Sequence, residues 1–219
     1  MRLNILGCVP TLLNVLMELA EDSHGITQFN ILQNTPVELS SDFIPQTDWQ
    51  VSVYPIEDLP VEADSQGIYA LSVVGMQSKK LVYQDFQARI GIPQTQFIQL
   101  IHPSAQISRS AQLQSGLQIE PLVTISACAE LGFGIHIKRN CSIGHHCRIG
   151  DFVTINPGVT ISSFVRIGSQ TMIGSGASIK DNITIGENCM IGMGSVVLKD
   201  IPPHSIAYGN PCQVHKSNR

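Results

Sequence analysis

Every sixth residue from Ile101 to Val197 is Ile, Leu or Val without exception: Ile101, Ile107, Leu113, Ile119, Ile125, Leu131, Ile137, Ile143 and onward through Ile185, Ile191 and Val197. No helix or ordinary strand has a six-residue period, so the repeat itself must be the structural unit. A second series runs two residues ahead of the first. It includes Leu117, Val123, Ala129, Ile135, Cys141, Cys147, Val153, Val159, Val165, Ala177 and Cys189, all small or apolar. Residues two apart on a strand share a face, so each hexad supplies a short strand with two inward side chains.

Three hexads close a triangular coil of eighteen residues, and successive coils stack at the strand spacing of about 4.8 Å. Gly132, Gly144, Gly150, Gly168, Gly174, Gly186 and Gly192 directly follow the large aliphatic residue, with Asn156 in one further hexad. Glycine and asparagine tolerate positive φ, so these positions are expected to turn the corners. Cys141, Cys147 and Cys189 fall in the inner series and read as small hydrophobes of the column, not as nucleophiles.

Residues 1–97 lack the period and form a separate unit; the coil and its tail occupy 98–219. RLNILG reads as a buried strand, and Pro10 opens the helical pattern PTLLNVLMELAEDS, suiting a first helical turn. WQVSVYP and GIYALSVVG follow as strands, SKKLVYQDFQAR as a helix, and QFIQLI as a strand leading into the repeats. Alternating strand and helix predicts a small parallel, Rossmann-like α/β domain. Gly7 and Gly75 each close a strand just ahead of a helix. Backbone amides meet a phosphate at such points, although an ordinary turn needs glycine there too.

The 219 residues are 43 % apolar and only 14 % charged, with a net charge of −4. That balance disfavours nucleic acid and anionic membranes as partners. The first apolar stretch, LNILG, is too short for a secretion signal, and no run is long enough for a membrane span, so a cytoplasmic protein is expected. The six cysteines show no CxxC spacing, which suggests free thiols and no metal.

Several segments resemble the NeuD/PglD-like sugar acyltransferases, and the likeness spans nearly the whole chain. They are LIHPSAQIS at the domain junction, SIGHHCRIGDFVTINPGV in the middle coils, and IGSGASIKDNITIGENCMIGMGSVVLKDIPPHSIAYGNP near the end, with VVG and the following KK in the first domain. The resemblance implies a left-handed parallel β-helix, a homotrimer with active sites between neighbouring prisms, and acetyl-CoA lying along the groove. It also implies a nucleotide-linked amino sugar or sialic-acid-like sugar held by the amino-terminal domain.

His145 matches the position of the family base and takes the proton from an attacking amine or hydroxyl, with His146 beside it; the backbone amide of Ser163, one coil on, is placed for the oxyanion. Thr154, Ser163, Gly174, Gly192, Lys180, Gly209 and Pro211 are the candidate acetyl-CoA contacts, with Lys199 as a second phosphate partner. Gly7, Gly75 and His136 are the candidate sugar-nucleotide contacts. His136 lies eighteen residues before Thr154 and is expected to stack beneath it.

The chain departs from the family at several of these places. His146 replaces an acidic residue, Thr154 a second histidine, Ser163 a glycine, and Gly7-Cys8-Val9-Pro10 a glycine-rich loop. The alternative is therefore a catalytically degenerate trimer that binds a sugar nucleotide or acts as a scaffold. A β-helix carbonic anhydrase is a more distant rival, since it needs three histidines converging on zinc.

Overall fold

The structure, a computed structural model, describes residues 1–34, 48–55, 58, 66–73, 75 and 77–218. The first unit is a four-stranded parallel sheet of β1 (Arg2–Leu6), β2 (Gln28–Leu32), β3 (Gln50–Tyr54) and β4 (Ile68–Leu71), in the order β3-β2-β1-β4. Helix α1 (Pro10–His24) starts on its proline and stops at Gly25, whose φ of 65° lets its amide donate to Glu21 O at 2.7 Å. Its apolar stripe of Leu13, Leu16, Met17 and Ala20 covers Leu3, Ile5, Phe29 and Ile31 on one side of the sheet.

Helix α2 (Ser78–Ile90) covers the other side through Val82, Phe86 and Ile90. That second core does not end at the domain. It runs on through Phe97 to Phe133 and Phe152 of the coil, with Tyr83 edge-on to Phe133 at 5.1 Å, so the two units share one apolar junction. Burial of such aromatic clusters resists relative domain motion.

The hexads form seventeen two-residue rungs among the described residues, from β5 (Leu100–Ile101) to β21 (Val196–Val197). Each rung pairs in parallel with the one eighteen residues on, for example His136 with Thr154 and Ser142 with Thr160, giving three ladders and a three-sided prism. Ile119, Ile137, Ile155, Ile173 and Ile191 stack along one ladder at 0–1 % exposure, and the inner series Leu117, Val123, Ala129, Ile135 and Cys147 is equally buried. A full burial of each Ile contributes about 1.5–3 kcal/mol, which explains how two-residue strands hold. Burial also pushes the Cys141 thiol up to about 11, as suits a core thiol. A final hairpin, β22 (Ser205–Tyr208) and β23 (Gln213–Ser217), closes the top of one ladder.

The corners differ from the sequence expectation. Gly132, Gly144, Gly168 and their equivalents do not have positive φ. The left-handed residue lies two places further on in each hexad from Gly116 to Gly194, as at Gly134, Asn140, His146, Phe152, Gly158, Phe164, Gln170 and Asn182. The glycines are required instead by close stacking: a Cβ on Gly144 would lie 2.5 Å from the carbonyl carbon of Ser162 in the next coil, and one on Gly168 2.6 Å from Gly186. The left-handed residues donate their amides to the coil below, as Phe164 does to His145 O at 3.0 Å.

Two amino-terminal elements also differ. β2 has no counterpart in the sequence reading, because QFNIL is short and flanked by polar residues. QFIQLI is not one strand: Phe97 bridges to Tyr69 of the sheet, and Leu100–Ile101 begins the prism.

Candidate active site

The ladder of Leu100–Ile101, Gln118–Ile119, His136–Ile137, Thr154–Ile155, Met172–Ile173 and Met190–Ile191 faces the amino-terminal domain. Gln118 Nε2 donates to Leu71 O at 2.7 Å and Lys79 Nζ to Val153 O at 3.4 Å across that junction. The other two faces lie open. One carries the small polar side chains of Thr124, Ser142, Thr160 and Ser178, the other Gln112, Glu130, Arg148, Arg166 and Thr184.

His145 and His146 stand exposed at the corner between these open faces. Their Nδ1 atoms are 3.0 Å apart. Phe164, one coil on, lies flat against the His146 ring at 5.1 Å and 19° and perpendicular to the His145 ring at 5.0 Å and 87°. Phe164 was not singled out by sequence, since its φ of 60° is one that a bulky residue adopts at a cost of about 1–2 kcal/mol. Ser163 sits directly above, its backbone packed so closely on Gly144 that a Cβ there would come within 2.7 Å of the Ser163 amide nitrogen.

Lys180 and Lys199 are exposed on the same corner, about 10 Å and 15 Å further along by coil spacing. Gly174 and Gly192 stack on the opposite border of the Ser/Thr face, where a Cβ on Gly174 would lie 2.6 Å from Met193 N. Gly209 accepts from Val196 N at 3.0 Å and precedes the cis Asn210-Pro211 bond, so Gly209 and Pro211 cap the top of that face. The structure thus places Ser163, Gly174, Lys180, Gly192, Gly209 and Pro211 around one face.

Thr154 lies elsewhere. Nine residues are one and a half sides of the triangle, which carries the chain from the His145 corner to the middle of the opposite, domain-covered face. There Thr154 is 4 % exposed, and its hydroxyl makes no hydrogen bond among the described residues. It pairs with His136, as the eighteen-residue spacing requires.

His136 is buried, and its Nε2 donates to Glu120 Oε1 at 2.8 Å. Burial pushes the imidazole down to about 4 in spite of the Glu120 carboxylate, and the Lys79 ammonium adds to the depression, so the ring is neutral at pH 7. Lys79 is 3 % exposed and is pushed to about 7, first by burial and then by Lys138. Glu120 is held below the usual carboxylate range by His136 and the Arg139 amide, against the opposing effect of burial.

Sequence reading passed over Glu120 and gave Lys79 no role beyond the KK that carries the resemblance. Of the adjacent Lys79 and Lys80 only the first is buried, a matter of helical phase against the prism. Gly7 and Gly75 lie at the carboxyl ends of β1 and β4, neighbouring strands where the chain order of the sheet reverses, the crevice at which open α/β sheets bind ligands. Gly7 is also held by packing: a Cβ there would meet Val73 Cγ2 at 3.0 Å.

Residues 164–199 match the bacterial transferase hexapeptide (six repeats) model. Three solved structures superpose on nearly the whole chain. The acetyltransferase domain of PglB from Neisseria gonorrhoeae FA1090, in complex with acetyl coenzyme A, aligns with a TM-score of 0.80 at 23 % identity over 98 % of both chains. The chain has their fold. A mutant of perosamine N-acetyltransferase from Caulobacter crescentus, in complex with CoA and GDP-perosamine, gives 0.82 at 22 % identity over 99 % of this chain and 97 % of that one. WeeI from Acinetobacter baumannii AYE gives 0.80 at 19 % over 98 % and 100 %. A comparison with curated protein sequences gives no match. The architecture, a small parallel α/β domain followed by a left-handed parallel β-helix, is therefore common to this chain and these structures.

Proposed function

We propose that this protein is an acyl-CoA-dependent acyltransferase that moves an acetyl group from acetyl-CoA to an amino group or hydroxyl of a nucleotide-linked sugar or sialic-acid-like sugar, in surface glycan synthesis. The observation that carries the reading is the His145–His146 pair at an exposed corner, one coil below Ser163. It occurs in a fold shared end to end with structures that hold acetyl coenzyme A or CoA with GDP-perosamine.

In this reading the acceptor nitrogen or oxygen attacks the thioester carbonyl carbon while His145 takes its proton. The Ser163 amide donates to the oxyanion, and collapse of the tetrahedral species breaks the C–S bond, the proton passing from His145 to the CoA sulfur. Lys180 and Lys199 offer charge to the CoA phosphates, and Gly174, Gly192, Gly209 and Pro211 border the pantetheine path. Gly7 and Gly75 border the crevice for the sugar nucleotide, whereas His136, buried against Glu120, is out of reach of a ligand and loses that role. The Ser/Thr face is one wall of the groove, and a neighbouring prism of a homotrimer is the other.

The test is thiol release from acetyl-CoA in the presence of GDP-perosamine or UDP-linked 4-amino sugars, with the mass in solution measured alongside. Steady release that His145→Ala lowers by about 10²–10⁴-fold, from a particle of three chains, supports the reading. Sugar-nucleotide binding without release overturns it in favour of a binding scaffold, and release unchanged in His145→Ala overturns His145 as the base.

A further inference from the structure

The geometry points to His146 as a positioning residue that fixes which nitrogen of His145 carries the proton, with Phe164 as the shelf that holds the His146 ring. The inference rests on His145 being the base. Two ring nitrogens 3.0 Å apart share a single hydrogen, so one Nδ1 donates and the other accepts. When His145 donates, its Nε2 is bare and takes the acceptor's proton. When His146 donates, His145 presents an Nε2–H, which cannot.

The surroundings favour the first arrangement once the proton has been taken. His146 and Phe164 line a groove of about 440 Å³ together with Arg148, Arg166 and Glu130. Glu130 is paired with Arg148 at 3.3 Å, so the groove keeps an excess positive charge on the His146 side. Once His145 has taken the acceptor's proton both its nitrogens carry hydrogen, so its Nδ1–H must donate to His146, and the bond strengthens with the charge. His146 cannot swing away freely. Its backbone is left-handed at φ 57°, its amide is tied to Ala127 O at 3.0 Å, and its ring lies on Phe164.

The tautomer is directly readable. In the full chain with ¹⁵N-labelled histidine, a long-range ¹H–¹⁵N spectrum, with the His145 signals assigned from their loss in His145→Gln, should show His145 as the Nδ1–H form. His146→Ala should shift it towards Nε2–H. His146→Asn should keep it, because the asparagine Oδ1 occupies the place of Nδ1 and asparagine tolerates the left-handed backbone. Phe164→Asn, equally tolerant of its backbone, should give a mixture.

With acetyl-CoA and GDP-perosamine or a UDP-linked 4-amino sugar, His146→Ala should lower kcat by on the order of 10²-fold without raising KM for acetyl-CoA, and His146→Asn should recover most of it. An Nε2–H His145 in the unmodified protein, or a spectrum that His146→Ala leaves unchanged, overturns the inference whether or not any acceptor turns over. The expected spectrum with no turnover on any acceptor would instead count against the acyltransferase reading alone.

Discussion

His136 and His145 come from the same hexad lattice, nine residues apart, yet one is sealed and the other open. At the junction face the lattice puts His136, Glu120 and Thr154 under the amino-terminal domain, where desolvation dominates and every polar atom must find a partner or go without. At the corner between the open faces the same lattice puts His145 and His146 in water, their rings held by each other and by Phe164. A repeat fixes where a side chain points relative to the prism. What covers that position then decides whether it is a structural group or a chemical one.

The sharpest way to break this contrast is to remove each histidine in turn. His145→Ala should reduce turnover by about 10²–10⁴-fold with an unchanged melting temperature, because an exposed ring contributes little to folding. His136→Gln should do the opposite at neutral pH and lower the melting temperature. A melting temperature that falls equally in both variants would erase the distinction between the two regions.

The pH dependence of stability sharpens it further. The folded pKa of His136 lies below its unfolded value, so its contribution is complete above about 6.5 and is lost as pH falls towards 4. That loss amounts to about 3 kcal/mol. Denaturant titrations at pH 7 and pH 4.5 should show this slope in the native protein and a much shallower one in His136→Gln. Lys79 has the same sign in a higher window: the unfolded chain binds the extra proton between about 7 and 10.5, so stability rises with pH there. Lys79→Met should flatten that rise and stabilise the protein more at pH 7 than at pH 10.

Two glycine substitutions test the corner geometry with smaller effects. Gly168→Ala drives a Cβ into the backbone of Gly186 and Glu187 and should cost about 3 kcal/mol in chemical denaturation, near the upper end of overpacking. Gly176→Ala meets nothing within 4 Å and bears only the strain of φ 68°, so it should cost about 1 kcal/mol. Equal losses would return the corner-turning role to the position directly after the aliphatic residue.

The sequence alone determined the rungs, the eighteen-residue stacking of His136 on Thr154, and the outward corner of His145, because a six-residue period leaves no other way to bury seventeen aliphatic side chains. It also determined α1, whose proline start and apolar stripe are local. The tertiary structure decided which face of the prism the first domain covers, and with it the burial of Lys79 and Glu120 and the separation of Thr154 from the open Ser/Thr face. It decided the roles of the glycines as well, since a contact between coils is invisible to a reading of single hexads. The hexad pattern is periodic and cannot mark one side of a triangle as different from the other two; only the fit of α2 and its aromatic neighbours against Phe133 and Phe152 breaks that symmetry.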